Sequence, residues 1–534
     1  MDNITLSNAQ KSVVGIVDFN NSVSTLNAGD VIVGTGVVGD ELRVILDSTS
    51  YPGSATITDV DTITVQVGAG GGVTFNATGV TGAKQIIMKD AVGAQTISNI
   101  GSLSTAVGIT NTTQSLTANW SNALLAGSND AVTVLLDTAT GAAAQTVTVS
   151  NGVEVVNVKT SGGKSDINNI TDNVASGSLK TINVAADAAL RIRNLDADIT
   201  TFDASASTAG VRVAFGAGKD ITATGGKGDD RFTFGLGDFT DKDKVTGGDG
   251  TDRLDVTLNA NLATKNQISG IETISASANG AAFTFNLSGN TDIKTFIVRE
   301  DGGANTITLT NAEQVLQTVG YQGNETNGNQ TFDNLTVNLA PGKGTGSSDA
   351  TTVVVNNKDA SGAEVALATG NAFNLGTLTL PNVENVTIDV QANGNANLTL
   401  SDTALTSLTL KATKDLTFNA ALNSTKLTTV DATGVNGKLT IDTSFSNESV
   451  TISLGNGNNV VTVGGGNGTD DITLVQLGTG ANTIALDPTT VGPNGFFIAT
   501  GFNAGVGGDL IDFTGLVNFE SKALNDLARE FRIP

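Results

Sequence analysis

Short runs in which apolar and polar residues alternate recur along the whole chain and predict β-strands. One element places apolar residues at relative positions 0, 3 and 5, so its last positions alternate as a half-buried strand does. Its copies are 179–184, 199–204, 293–298, 405–410 and 427–432. Neighbouring copies begin 20 residues apart (179 and 199) or 22 apart (405 and 427), the scale of one coil in a stacked solenoid. We therefore expect each coil to pair with the next.

Two further patterns bear on the predicted strands and coils. The first 150 residues also predict strands, in segments such as 62–67 and 145–149. Elsewhere a single carboxylate interrupts an apolar run, at Asp61, Glu154, Glu272, Glu313 and Glu384. The irregular spacing of these runs indicates that the coils carry insertions. We expect the carboxylates to point outward from alternating strands and assign them no function.

Two nine-residue stretches, 225–233 and 247–255, match the pattern G-G-x-G-x-D-x-U-x (U apolar) at every position. In this pattern the glycines allow a tight turn and direct carbonyl oxygens inward, and the aspartate adds a carboxylate. The apolar eighth residue enters a short strand that faces the core. The stretches thus predict both calcium and a parallel β-roll. The predicted ligands here are Gly226, Gly228, Asp229, Asp230, Gly248, Asp249, Gly250 and Asp252.

A second glycine-rich cluster spans 454–484. Its middle copy has the glycine pair and the aspartate, and its flanking copies place asparagine where a charged ligand belongs. The flanking copies are therefore either weaker sites or metal-free turns. An early segment, 29–42, resembles a degenerate copy of the motif. The candidate ligands of this region are Asn459, Gly466, Gly468, Asp470, Asp471, Asn482 and, in the segment that follows, Asp509.

Composition supports an all-β fold, since 64 glycines, 6 prolines and 39% apolar residues suit many short strands joined by tight turns. The length of 534 residues allows about three or four domains. The 28 basic and 52 acidic residues give a formal charge of −24, which repels phosphate backbones and makes nucleic acid an unexpected partner. That charge also opposes compaction unless cations bind, so acidity and loops both indicate Ca²⁺ as the cofactor.

The chain has no cysteine and no histidine, which excludes disulfides, thiolate nucleophiles, His-Cys zinc sites and imidazole catalysis. We expect no N-terminal signal peptide and no membrane span, because neither a basic region before an apolar core nor a run of about 18 apolar residues occurs. Calcium loops of extracellular type nevertheless require millimolar calcium. Export under a C-terminal signal reconciles these two observations.

The last 21 residues, 514–534, predict an amphipathic helix over 521–532. Leu524, Leu527, Ala528 and Phe531 fall on one face at i, i+3, i+4 and i+7. This segment is either a cap over the open end of the solenoid or an export signal.

Taken together, the loops at 225–255 and 465–471, the coil elements 201–205 and 429–432, and the passage from 245–252 to 268–274 resemble the RTX-type surface-layer proteins of Gram-negative bacteria. The likeness covers roughly residues 175 to 515. It implies type I secretion under a C-terminal signal and crystallisation on the cell surface with calcium. The chain departs from that family at its start, where such proteins carry a helical domain that grips surface polysaccharide and this one predicts strands.

We therefore predict an all-β fold: a right-handed parallel β-solenoid or β-roll with calcium-binding RTX loops and an additional β region at the N-terminus. The predicted segments are an N-terminal β region (1–150), coils (151–224), RTX-like loops (225–256), further coils (257–450), a second RTX-like region (451–513) and the C-terminal segment (514–534).

The predicted function is structural: calcium-dependent self-assembly into a bacterial surface layer or similar extracellular coat. Its partners would be copies of itself, and cell-surface polysaccharide or another envelope protein for anchoring. An adhesin, filament or virus-associated fibre is the alternative. A β-helix polysaccharide-degrading enzyme is a weaker one, because sugar sites usually stack rings on aromatic residues and Tyr51, Trp120 and Tyr321 lie far apart in sequence. We predict no enzymatic activity.

Overall fold

The structure is a computed structural model that describes residues 2–18, 24–47, 50–68, 71–172, 174–216, 218–264, 267–323, 328–357, 367–368, 370–464, 471–487 and 496–512. The predicted amphipathic segment 514–534 lies outside these residues. In the described part, nearly all regular structure is β-strand, and the strands are hydrogen-bonded in parallel sheets. The prediction of an all-β parallel solenoid is confirmed. The chain divides into two compact units, Met1–Asp255 with Gln267–Ile271, and Val256–Asn266 with Glu272–Pro534.

Unit 1 contains the first 24 strands, β26 and the start of β25, with two short 3₁₀ turns at Asn122–Leu124 and Ala142–Ala144. The strands are β1 Asn3–Thr5, β2 Ser12–Asp18, β3 Val31–Val33, β4 Glu41–Asp47, β5 Thr56–Thr58, β6 Thr62–Val67, β7 Val73–Asn76, β8 Val80–Thr81, β9 Gln85–Lys89, β10 Gln95–Ile100, β11 Ala106–Thr112, β12 Leu116–Trp120, β13 Ala131–Ala139, β14 Thr146–Val149, β15 Val155–Ser161, β16 Ser165–Ile167, β17 Asn169–Thr171, β18 Thr181–Ala186, β19 Leu190–Leu195, β20 Thr201–Asp203, β21 Val211–Phe215, β22 Thr222–Thr224, β23 Arg231–Leu236, β24 Lys244–Thr246, β25 Arg253–Leu258 and β26 Gln267–Ser269.

In unit 1, strands that follow each other along the chain belong to different sheets. Each strand pairs with the equivalent strand of the preceding coil, and these pairings build the sheets. A twelve-stranded sheet runs from β2 through β4, β6, β9, β11, β13, β15, β18, β20, β22 and β24 to β26. A second face is formed by β16, β19, β21, β23 and β25 in that order. The remaining strands form a four-stranded sheet (β1, β3, β5, β8) and a five-stranded sheet (β17, β14, β12, β10, β7).

Unit 2 contains the end of β25 and the strands that follow β26. These are β27 Thr273–Ala278, β28 Phe283–Asn286, β29 Thr295–Arg299, β30 Thr306–Ala312, β31 Thr318–Gly323, β32 Gln330–Thr331, β33 Asn334–Leu339, β34 Ala350–Asn357, β35 Ala372–Thr379, β36 Asn385–Val390, β37 Asn395–Ser401, β38 Ser407–Ala412, β39 Leu416–Phe418, β40 Thr429–Val435, β41 Leu439–Asp442, β42 Val450–Leu454, β43 Val460–Val463, β44 Ile472–Gln476, β45 Thr483–Leu486, β46 Phe496–Thr500 and β47 Leu510–Asp512. One face runs from β27 through β29, β31, β34, β36, β38, β40, β42 and β44 to β46, and an eleven-stranded sheet runs from β28 to β47.

The strand registers agree with the coil lengths expected from the sequence. Thr181 pairs with Thr201, 20 residues later, and Ser407 pairs with Thr429, 22 residues later. The side chains at positions 3 and 5 of the repeated element are buried. Ile182 is fully buried in the first copy, and the equivalent residues of the other copies are buried as well. The same parallel pairing crosses residue 150, since β13 pairs with β15.

The core of each coil consists of the inward residues of its strands, stacked on those of the next coil. Stacking is clearest in unit 1, where the rings of Phe215 and Phe234 lie 4.7 Å apart and contact Phe202 and Phe239, respectively. Burial of these rings removes a large apolar surface from water, which stabilises the fold by about 25 cal/mol for each Å² buried. Because one coil cannot bury its own apolar face, the neighbouring coils stabilise each other.

Candidate metal centre

The two complete glycine-rich loops occupy equivalent corners of adjacent coils in unit 1. Loop 225–233 leads from β22 into β23, and loop 247–255 leads from β24 into β25. Because β22 pairs with β24, the second loop lies against the first: the Asp249 N–H donates to the carbonyl of Gly226 at 2.9 Å. The eighth residues, Phe232 and Leu254, are fully buried, as the pattern predicts.

Glycine is required at these corners because the two backbones approach so closely. A Cβ on Gly225 would lie 2.0 Å from the carbonyl oxygen of Gly247, far inside van der Waals contact. Gly250 has φ +127°, a conformation that side-chain-bearing residues rarely adopt. Glycine therefore permits the turn itself and the tight stacking of one loop on the next.

The sixth-position aspartates of the loops are buried and connect successive coils. Asp230 is 2% exposed, and its carboxylate accepts hydrogen bonds from the N–H groups of Val211 and Gly226, both at 2.6 Å. Asp252 is fully buried and accepts the N–H of Asp230 at 2.7 Å. Each carboxylate thus receives a backbone N–H from the preceding coil, in addition to any metal it holds.

The predicted flanking carboxylates, Asp229 and Asp249, are exposed. One oxygen of Asp229 accepts the N–H of Thr251 at 2.9 Å, which adds another link between the loops. The structure therefore separates buried carboxylates inside the corner from solvated ones at its rim.

The electrostatics of Asp230 favour a cation in this corner. Burial raises the pKa of Asp230, and the nearby Asp229 charge adds to that effect. By contrast, the ammonium of Lys84, 2.7 Å from Asp61, lowers the pKa of that coil-linking carboxyl. A cation beside Asp230 would act as Lys84 does beside Asp61, by stabilising the ionised form.

The oxygen donors of these loops fit calcium if backbone carbonyls supply most of the ligands. Among the described residues, no group of three or more His, Cys, Asp or Glu side chains converges on one point. Calcium takes six to eight oxygens and accepts backbone carbonyls and waters along with carboxylates. Asp230, Asp252 and the glycine carbonyls of the two loops would be the residues that hold it.

The asparagine turns of unit 2 have a different chemistry at the same position. The Asn459 amide donates to the carbonyls of Gly455 (3.1 Å) and Gly457 (2.9 Å), and the Asn482 amide donates to that of Gly480 (2.8 Å). The side-chain N–H groups thus point toward the loop carbonyls that a metal would need. That these turns are either weaker sites or metal-free turns stays a prediction.

Asp509 continues this series of links. It accepts N–H groups from the backbone and the side chain of Asn482, at 2.8 and 2.9 Å. Asp471 is half-buried beside the start of β44. Of the remaining predicted ligands, Gly466, Gly468 and Asp470 lie outside the described residues.

The carboxylates within apolar runs have a role that the pattern did not reveal. Four of them accept a backbone N–H from the preceding coil, at 2.6 to 2.9 Å: Asp61 from Gly39, Glu154 from Asp130, Glu313 from Gly289 and Glu384 from Asp349. These residues do more than point outward, because each links two coils.

The chain matches no protein-family model and no curated protein. No helix in the described part of the chain is long and apolar enough to cross a membrane.

Proposed function

We propose that this protein is a structural component of an ordered extracellular coat, such as a bacterial surface layer, and that calcium drives its folding and self-assembly. The observation that carries the proposal is the stacked pair of glycine loops with buried Asp230 and Asp252 at their centre. A buried carboxylate whose pKa is raised by burial destabilises a folded chain until a cation reaches it.

In this proposal, the calcium concentration controls folding and self-assembly. The charge of −24 opposes compaction and contact between copies, and bound divalent ions reduce both effects. Extracellular calcium modules have dissociation constants of about 10⁻⁴ to 10⁻³ M, so they are nearly empty in the cytosol and filled at millimolar calcium. The chain would remain loosely folded inside the cell and assemble outside it.

Negative-stain electron microscopy tests the proposal directly. With about 1 mM calcium, near the top of that affinity range, we expect two-dimensional arrays of the purified chain, and dispersed particles after chelation. The matched control replaces calcium with an equal concentration of magnesium, which demands a rigid octahedral shell and should not support arrays. Isolated rods in calcium would favour the adhesin or fibre alternative. Dispersed monomers with calcium bound would contradict both.

One region of unit 2 bears on the enzyme alternative. An open cavity of about 520 Å³ is lined by Asn279, Asp301 and Asn305 among others. Burial raises the pKa of Asp301 and of the neighbouring Asp333, as in paired acids of glycoside hydrolases. However, Asp333 is fully buried and accepts the backbone N–H groups of Ala278 and Asn305, which is typical of a structural carboxylate. The structural role is therefore preferred, and an absence of new reducing ends after incubation with envelope polysaccharides is the expected result.

A further inference from the structure

Five of the nine arginines of this acidic chain lie on one outward face of unit 1. We call them the arginine ladder: Arg191 and Arg193 on β19, Arg212 on β21, Arg231 on β23 and Arg253 on β25. The register places Arg191 opposite Arg212, and Arg212 opposite Arg231. Neighbouring strands are about 4.8 Å apart, so the ladder repeats its charge at that interval.

This arrangement breaks a rule of sheet stability. Like charges directly opposite on adjacent strands are destabilising, and acidic residues outnumber basic ones 52 to 28 in this chain. Burial lowers the pKa of Arg191, and the charges of Arg193, Arg212 and Arg231 lower it further, while the charge of Asp166 raises it. Positions where a sequence opposes its own fold in this way are typical of functional sites.

Three members of the ladder have carboxylate partners. Arg193 binds both oxygens of Asp166, at 2.7 and 2.8 Å. Arg231 and Arg253 share the buried carboxylate of Asp255. The two carboxylates offset part of the positive charge and hold these three side chains in place.

Arg191 and Arg212, which lie opposite each other, differ from these three. In the part of the chain that the structure describes, Arg191 and Arg212 have no hydrogen-bonded or ion-paired carboxylate. Asp166 stands opposite Arg191 but directs both oxygens to Arg193. Two adjacent guanidinium groups, one strand apart, are thus left with their donors facing outward.

The surface beside Arg212 is open. This arginine is exposed, and Ala214, two residues further along the same outward face, has a small side chain. Ala214 pairs with Thr233, which is also small and lies two residues beyond Arg231. A ligand can therefore approach Arg212 from this side without displacing a large side chain.

The ligand should present oxyanions at regular intervals, because guanidinium donors match carboxylate, sulfate and phosphate groups in pairs. Double-stranded DNA carries one charge per about 1.7 Å, and the net charge of this protein repels so dense a polyanion more strongly than a sparsely charged one. A second copy of the chain is a poorer match, since several of its strand carboxylates stand opposite neutral or basic residues. Examples are Asp389 opposite Lys411 and Asp431 opposite Ser453.

We propose that Arg191 and Arg212 form an oxyanion site that binds an acidic polysaccharide along the ladder of unit 1. The site needs only the folded unit, so it can be tested without assembly. Its failure would leave the proposed calcium-dependent coat untouched, and failure of the coat would leave this site untouched.

The test is the affinity of the calcium-saturated full chain for carboxymethyl-dextran and dextran sulfate, with unmodified dextran as the neutral polymer. We expect both acidic polymers to bind and dextran not to bind. Arg191→Gln with Arg212→Gln should weaken binding roughly tenfold or more, because hydrogen bonds to charged groups are the strong ones. Lys89→Gln with Lys159→Gln is the matched control: it removes two positive charges from exposed strand positions elsewhere in unit 1 and should change affinity by no more than about twofold.

A second measurement separates binding from folding. Arg212→Gln alone relieves like-charge repulsion, so the melting temperature of this variant should equal or exceed that of the wild type while its affinity falls. Equal binding of dextran and dextran sulfate would overturn the proposal, as would an equal loss of affinity in the arginine and lysine pairs. Loss of self-association in the arginine pair with unchanged polysaccharide affinity would assign the face to a second copy and overturn it as well.

Discussion

Chelation of calcium is expected to lower the melting temperature of this protein by roughly 8 to 16 °C. At millimolar calcium and a dissociation constant of about 10⁻⁴ M, each occupied site adds ~1.4 kcal/mol of stability. If all three are occupied, the two loops at 225–233 and 247–255 and the third full pattern at 465–472 would together add about 4 kcal/mol. In a unit of this size, 1 kcal/mol shifts the melting temperature by about 2 to 4 °C. Circular dichroism with and without chelator measures the shift.

Substitution of the buried carboxylates should remove the calcium stabilisation that the two described loops contribute. This contribution is about two thirds of the expected shift in melting temperature. Asp230→Asn with Asp252→Asn replaces each carboxylate by the side chain that Asn459 and Asn482 already use in unit 2. There the amide donates to the loop carbonyls, so the corner can remain closed without metal. The double variant should therefore fold in chelator.

The matched control is Asp229→Asn with Asp249→Asn, which removes the same charge from exposed positions in the same loops. This variant should keep most of the calcium response. A fully folded wild type with an unchanged melting point in chelator would contradict the proposed role of calcium. An equal loss of response in both double variants would show that net charge, and not the buried site, sets the effect.

Much of the fold could be predicted from local patterns because a solenoid repeats one local arrangement. Alternation at Ile182 and Val184 indicates which side chains are buried, and repeats of 20 and 22 residues give the distance to the paired strand. The eighth residue of a glycine loop enters the core for the same reason. Each of these predictions needs only the neighbouring coil.

The remaining features depend on which atoms meet at the coil corners. Glu154 and Glu384 reach the N–H groups of Asp130 and Asp349, 24 and 35 residues earlier, and insertions of unequal length hide that relation. The hydrogen bond from the Asn459 amide to the carbonyl of Gly457 likewise does not follow from residue identity alone. The arginines recur at about one coil length, but only the register shows that they stack.

The second large effect is expected at Asp402 in unit 2. This residue follows β37 and is 2% exposed. Burial raises the pKa of its carboxyl to about 7, the nearby Glu384 charge adds to the effect, and the N–H of Ala404 partly offsets it. An unfolded aspartate titrates near 3.9. The folded chain therefore holds a proton on Asp402 between about pH 4 and pH 7 that the unfolded chain releases.

The sign of the resulting pH dependence follows from this difference. Because the folded state binds the extra proton, the contribution of Asp402 to stability is fully present below about pH 4. It is lost as the pH rises to about 7 and stays lost above that. One pKa unit corresponds to 1.36 kcal/mol, so the total loss is about 4 kcal/mol. Other carboxylates titrate in the same range, so the difference between wild type and variant isolates this group.

Asp402→Asn keeps the shape of the side chain and cannot ionise. At pH 8 we expect the variant to exceed the wild type in free energy of unfolding by up to about 4 kcal/mol, and at pH 4 to differ little from it. Asp415→Asn, which removes an exposed carboxylate from the same unit, should follow the wild-type curve at both values. Denaturant unfolding across this pH range provides the measurement. A difference between wild type and Asp402→Asn that does not grow with pH would show that the Asp402 carboxyl is solvated or paired with a cation in the folded protein, because either condition would keep it ionised well below pH 7.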